Sequence, residues 1–93
     1  MFEFDNAKSA SNKDKHGIDF VEAQALWDDE GMVVFYSDDS FGEMRMAAIG
    51  RLFERNWTAI FTWRDNAIRL ISVRRSRRNE EDFYESKRTG QNI

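Results

Sequence analysis

Apolar and polar residues alternate along this chain in two rhythms, one of strands and one of helices. The clearest stretch is Ala67-Ile68-Arg69-Leu70-Ile71-Ser72-Val73-Arg74-Arg75, bounded upstream by the turn residues Asp65-Asn66. Its Ile, Leu and Val content predicts a strand. An ideal strand puts Ile68, Leu70, Ser72 and Arg74 on one face and Ala67, Arg69, Ile71, Val73 and Arg75 on the other. Both faces are partly apolar, which predicts a central strand. Upstream, Met32–Tyr36 is a continuous apolar run, and Glu43–Phe53 and Trp57–Trp63 alternate. In the third of these, Trp57, Ala59, Phe61 and Trp63 face one way. The connections Ser37–Gly42, Glu54–Asn56 and Arg64–Asn66 are short, so the four strands form an antiparallel meander. Phe2-Glu3-Phe4 reads as a further short strand.

The helical rhythm appears three times. Asp5 is placed to cap a helix from Asn6 to Lys15, with a narrow stripe of Ala7, Ala10 and Ser11 and with Gly17 as a left-handed stop. Asp19-Phe20-Val21-Glu22 has the form of a capping box, opening a second, short helix that ends near Trp27. After Ser76 the pattern is helical again, with Phe83 and Tyr84 as its buried residues. The fold class is α+β: a short N-terminal strand, two helices, a four-stranded antiparallel meander and a C-terminal helix, with the helices against one face of the sheet. One domain spans residues 1–88, and 89–93 form a flexible tail.

Composition narrows the function classes. There is no cysteine among the 93 residues, which excludes disulfides and thiolate metal sites. No apolar run reaches membrane-spanning length and the N-terminus lacks the order of a signal peptide, so the expected location is cytoplasmic. The net charge of −3 conceals a split. Residues 1–43 hold eleven acidic and three basic side chains (−8), and residues 44–93 hold six acidic and eleven basic ones (+5). The basic half can present a phosphate-binding face, and the acidic half suits a basic partner. Equally, the two halves can neutralise each other across the fold.

Individual residues carry both structural and chemical readings. Arg69 sits among apolar neighbours, where a lone guanidinium is costly to bury. It needs a carboxylate partner or a cleft that binds an anion. His16 is the only histidine. It either meets free carbonyls at a helix end or serves in proton transfer or phosphate binding, since an ordinary imidazole titrates near pH 6.5. Asp28-Asp29-Glu30 invites a metal reading, but no histidine or further carboxylate follows at ligand spacing, so it reads as a loop. Glu43 suits an ion pair with a neighbouring arginine, and Tyr84 a core position.

Taken together, the motifs resemble a known family. Asp5-x-x-Lys8-x-x-x-Asn12-x-x-Lys15-His16-Gly17-Ile18-x-Phe20-x-Glu22-Ala23 looks like the N-terminal half of the BrnT family, toxins of BrnT/BrnA toxin–antitoxin systems. Glu43-x-Arg45 followed by Gly50 is similar to its middle segment, and Arg69-x-Ile71-Ser72-x-Arg74-Arg75, with Glu80 and Tyr84, to its C-terminal signature. The resemblance covers roughly residues 2–85. Where that family often has an acidic residue shortly before the Arg-x-Ile-Ser strand, this chain offers Asp65 and Asn66.

The resemblance implies a RelE-like ribonuclease that degrades RNA without a cofactor or metal and so inhibits translation and growth. It also implies a cognate BrnA-type antitoxin in a hetero-oligomer, with room for a toxin dimer, and contact with operator DNA through the antitoxin alone. The catalytic set it implies is Arg69 and Arg74 on the phosphate with His16 or Glu43 as base. Lys15, Arg45, Arg75 and Tyr84 complete the substrate surface, Tyr84 by stacking a base or donating a proton. Arg69 and Arg74 lie on opposite faces of an ideal strand, so both reach one phosphate only if the strand twists or bulges. The alternative is a non-catalytic domain whose arginine face binds RNA or an acidic protein.

Overall fold

The computed structural model describes residues 1–38 and 42–88. The turn residues 39–41 and the tail 89–93 lie outside them. The elements in chain order are β1 (Phe2–Glu3), α1 (Asn6–His16), a 3₁₀ helix (Glu22–Asp28), β2 (Val33–Asp38), β3 (Arg45–Leu52), β4 (Arg55–Arg64), β5 (Ala67–Arg75) and α2 (Arg78–Arg88). The class is α+β. The sheet is five-stranded in the order β1-β5-β4-β3-β2. β2 to β5 pair antiparallel, and β1 adds to β5 in parallel, making the sheet mixed.

Two turns differ from the expected boundaries. β3 and β4 are joined at Phe53 and Glu54, not at Glu54–Asn56, and both have positive φ (55° and 61°). Asp65 and Asn66 do the same between β4 and β5 (52° and 67°). Two successive left-handed residues match the right-handed twist of the flanking strands, which is why a two-residue connection takes this form. Asn and Asp adopt it readily; in Phe53, which is exposed, it is strained.

The core lies on one face of the sheet. Ala48, Trp57, Ala59, Phe61, Ile68, Leu70 and Val73 meet Ile18, Phe20, Ala23 and Leu26 there. The capping box forms as the pattern predicts: Glu22 N donates to Asp19 Oδ1 (2.8 Å) and Asp19 N to Glu22 Oε1 (2.9 Å). It opens a 3₁₀ helix rather than an α-helix. With three residues per turn, Ala23 and Leu26 fall on one line and both point inward. Gly50 makes room for Leu26, since a Cβ there would stand 3.0 Å from Leu26 Cδ2 and 3.3 Å from its carbonyl oxygen.

The expectation that all helices share one face is corrected by α2. Its Glu80 accepts from Thr58 Oγ1 at 3.0 Å, and Thr58 points away from Ala59 and the core. Phe83 stacks edge-on against Phe35 (5.7 Å), and the Tyr84 hydroxyl donates to Asp29 Oδ2 at 2.7 Å. The face carrying Phe35, Ala47, Ile49 and Thr58 is itself apolar enough to need a cover, and α2 supplies it. Tyr84 is buried as expected, whereas Phe83 is 38% exposed. Among the described residues no helix is long and apolar enough to cross a membrane.

Candidate functional site: a cationic cleft between α1 and β5

α1 begins where Asp5 Oδ1 accepts from Lys8 N (3.0 Å) and ends at Gly17, φ 83°, whose amide donates to the Lys13 carbonyl. The Ala7, Ala10 and Ser11 stripe does not dock it; the buried residues are Ser9 and Asn12. Ser9 Oγ accepts from Phe20 N at 2.9 Å. Asn12 Nδ2 donates to the carbonyls of Ile18 and Val73 (2.8 Å each), and its Oδ1 accepts from Val73 N at 3.2 Å. A polar side chain thus occupies the edge of β5 beyond the end of β1, satisfying backbone groups that would otherwise be stranded.

β5 is irregular where this happens. Ile60 pairs with Ser72 but Phe61 pairs with Leu70, so Ile71 is an extra residue, a β-bulge. The bulge reverses the side-chain alternation. Arg69 pairs with Thr62, Ser72 with Ile60 and Arg74 with Thr58, so all three lie on the α2 face. Arg75 turns to the core face, with its guanidinium 5.7 Å from the Trp57 ring centroid.

Between α1 and the bulge lies a cleft of about 250 Å³, lined by Lys8, Ser11, Asn12, Lys15, His16, Ile71 and Ser72. Lys8, Ser11, Asn12 and Lys15 stand at i, i+3, i+4 and i+7 and form one stripe of the helix. Two ammonium groups, an imidazole, two hydroxyls and a carboxamide converge without a carboxylate among the lining residues. That composition suits an anion. Lys13 points elsewhere, paired with Glu22 at 2.9 Å.

The cleft brings together Lys15 and His16 of the expected set and adds Lys8, Ser11 and Ser72. Lys8, Ser11 and Lys15 carry a sequence signal in their helical spacing, whereas the place of Ser72 depends on the bulge, which the alternation of β5 does not reveal. The remaining residues stand outside it. Arg69 is bound by Glu3 at 3.2 Å, the carboxylate carried by the paired β1 residue. Arg74 is gripped by both oxygens of Glu80 (2.8 and 2.9 Å). Arg45 is half-buried at the start of β3, on the same face as Ala47. Glu43 lies 3.6 Å from Arg64 at the far end of β4.

Tyr84 is held by Asp29. Burial together with that bond pushes the phenol up to about 12. Burial alone would raise Asp29; hydrogen bonds from Tyr84 and from the amides of Gly31 and Arg51 hold it below the usual carboxylate range. Asp29, read from sequence as one of three loop acids, is therefore the joint that ties α2 to β3. No group of three His, Asp or Glu side chains among the described residues is placed to hold a metal.

A small α+β domain with a cationic cleft at the sheet edge, free of carboxylates among its lining residues, has the chemistry to take an anion. The family follows from comparison. The family model of the ribonuclease toxin BrnT of type II toxin–antitoxin systems matches residues 4–80, and this chain belongs to that family. A search of curated proteins found no match.

Proposed function

We propose that this chain is a metal-independent endoribonuclease toxin and that RNA is cut in the cleft between α1 and β5. The observation that carries the reading is the convergence of Lys8, Lys15 and His16 on the bulged part of β5. RNA supplies its own nucleophile in the 2′-hydroxyl, so the protein needs a base and cations for the developing phosphorane charge. His16 takes the 2′-hydroxyl proton. Lys8 and Lys15 neutralise the phosphate, and the Ser11 and Ser72 hydroxyls donate to its oxygens. The 2′-oxygen bonds to phosphorus as the bond to the 5′-oxygen breaks. The leaving 5′-oxygen takes a proton from solvent water at the open mouth of the cleft, and His16 returns the 2′-hydroxyl proton to solvent, giving a 2′,3′-cyclic phosphate and a 5′-hydroxyl.

Arg69, on the sheet face beside the cleft, steers the backbone of the strand, and Glu3 holds it in place. Arg74 serves the fold, since Glu80 takes both of its terminal nitrogens. Glu43 is engaged by Arg64, which leaves the base role to His16. In the cytoplasm the cutting stops translation and growth, and a BrnA-type antitoxin neutralises it.

The test is cleavage of a defined RNA by purified protein in excess chelator. Wild type cuts and leaves cyclic phosphate ends. His16→Gln loses about 10²- to 10⁴-fold, the usual worth of a general base. Lys15→Ala loses about 10²-fold. Cutting that stops with chelator, or RNA bound and left whole by folded wild type, rules the mechanism out.

A further inference from the structure

Membership of a type II toxin–antitoxin family brings a protein partner, the antitoxin. We propose that this partner adds a strand to the free edge of β2: an extended, basic segment pairs with Val33–Tyr36 and places an apolar side chain in the groove under α2. The inference rests on the toxin reading for the partner's existence, and on geometry for the surface.

The sheet has two edges and they are treated differently. At one, β5 is covered by β1 and by the Asn12 amide. At the other, β2 ends the sheet, and no element among the described residues pairs beyond it. Its bulge comes only after Tyr36, so Val33, Val34, Phe35 and Tyr36 keep regular register with β3. An uncovered edge of this kind is a template for another strand.

Both sides of the edge offer apolar contact. On the core side, Val34 is 46% and Tyr36 53% exposed. On the other side, a groove of about 320 Å³ runs between the sheet and α2, lined by Phe35, Ile49, Asn79, Glu80 and Phe83. Side chains of an added strand alternate between these two surfaces. The groove is large enough for one leucine or phenylalanine.

Charge selects the occupant. Residues 28–43 contain Asp28, Asp29, Glu30, Asp38, Asp39 and Glu43, and neither Lys nor Arg. RNA is repelled by such a stretch. A second copy pairing antiparallel would bring the Asp28–Glu30 end of one β2 against the Asp38 end of the other. A basic segment meets carboxylates at both ends. The cations around that acidic stretch come from other elements: Arg45 stands opposite Asp38 on β3, Arg88 lies beside Gly31, and Lys87 stands over the Phe83 ring at 5.5 Å.

The experiment co-purifies the full chain with the protein encoded immediately beside it and compares backbone amide exchange in the free and bound chain. Slowed exchange across 33–36 is expected. Val34→Lys with Tyr36→Lys should weaken the complex about tenfold or more by like-charge contact. The same double variant should still arrest growth, an arrest the partner no longer relieves. Val21→Lys, at a residue also exposed (63%) but outside the sheet, should change nothing. A complex with unchanged exchange at 33–36 overturns the proposal, as does failure to form any complex. Slowing caused instead by RNA, or by raised concentration of the chain alone, also overturns it. Growth arrest by the chain without its partner reads the toxin assignment separately, so the two can fail independently.

Discussion

Replacing Glu80 by glutamine should cost this protein about 3 kcal/mol at neutral pH, and the cost should shrink in acid. Glu80 is 12% exposed and accepts four hydrogen bonds: two from Arg74, one from the Arg77 amide at 2.8 Å and one from Thr58. Burial on its own would raise its pKa. The Arg74 guanidinium, the Arg77 amide and the Thr58 hydroxyl outweigh burial and bring it from the ordinary 4.5 down to about 2. At about 1.4 kcal/mol per pH unit, that gap is worth about 3 kcal/mol of stability. The folded value lies below the unfolded one. The contribution is therefore whole above pH 4.5 or so, declines as pH falls from there, and is gone below about 2.

The assay is urea unfolding of wild type and Glu80→Gln, followed by tryptophan fluorescence, at pH 7, 5 and 3. The difference in unfolding free energy should be about 3 kcal/mol at pH 7 and about 1.5 kcal/mol at pH 3. Carboxylates far from Glu80 titrate alike in both proteins and cancel. A difference below about 1 kcal/mol at pH 7, or one that stays constant from pH 7 to 3, refutes the assignment of Glu80 as an ionised, charge-assisted joint.

Other perturbations test other parts of the structure. Gly50→Ala forces a methyl against Leu26 and should destabilise by about 1–3 kcal/mol in the same urea assay. Phe53→Asn with Glu54→Gly gives the β3–β4 turn residues suited to positive φ and should raise stability by about 1–2 kcal/mol, seen as a higher Tm. Lys8→Ala should weaken single-stranded RNA binding and flatten the plot of log affinity against log salt by about 0.7, the share of one phosphate contact.

Strand content was legible because strands report themselves through residue type: the Ile- and Val-rich run of β5 and the alternation of Trp57, Ala59 and Phe61 left little choice. The capping box was legible because its two partners are three residues apart. What the sequence hid depends on contacts between distant residues. The 3₁₀ segment packs against the sheet through Leu26, close to Gly50 twenty-four positions away, a contact that local spacing does not show. α1 looked like a helix that docks through alanines, yet Ser9 and Asn12 are buried, since their partners at Phe20 and Val73 cannot be read from local periodicity. Glu3 is not legible as the partner of Arg69, because parallel pairing of β1 with β5 joins residues 66 apart.

The bulge at Ile71 is where fold and function meet. In a regular β5, Ser72 and Arg74 would share a face with Leu70 and point into the core among Phe61 and Ala59. The extra residue returns Val73 to the core and sends Ser72 out to the cleft. A bulge leaves backbone groups without ladder partners. Asn12 supplies partners immediately beside it, accepting from Val73 N and donating to its carbonyl. Asn12 is one turn from both Lys8 and His16 on the same helix. The side chain that anchors α1 to the irregular strand therefore also sets the height of the cationic stripe above Ser72. An apolar residue at 12 would strand the Val73 amide and carbonyl at a cost of about 1–3 kcal/mol each. It would also release the spacing between stripe and strand. The polarity of this helix's buried side is thus part of the site, and it explains how so short a chain builds a cleft without spending apolar core on it.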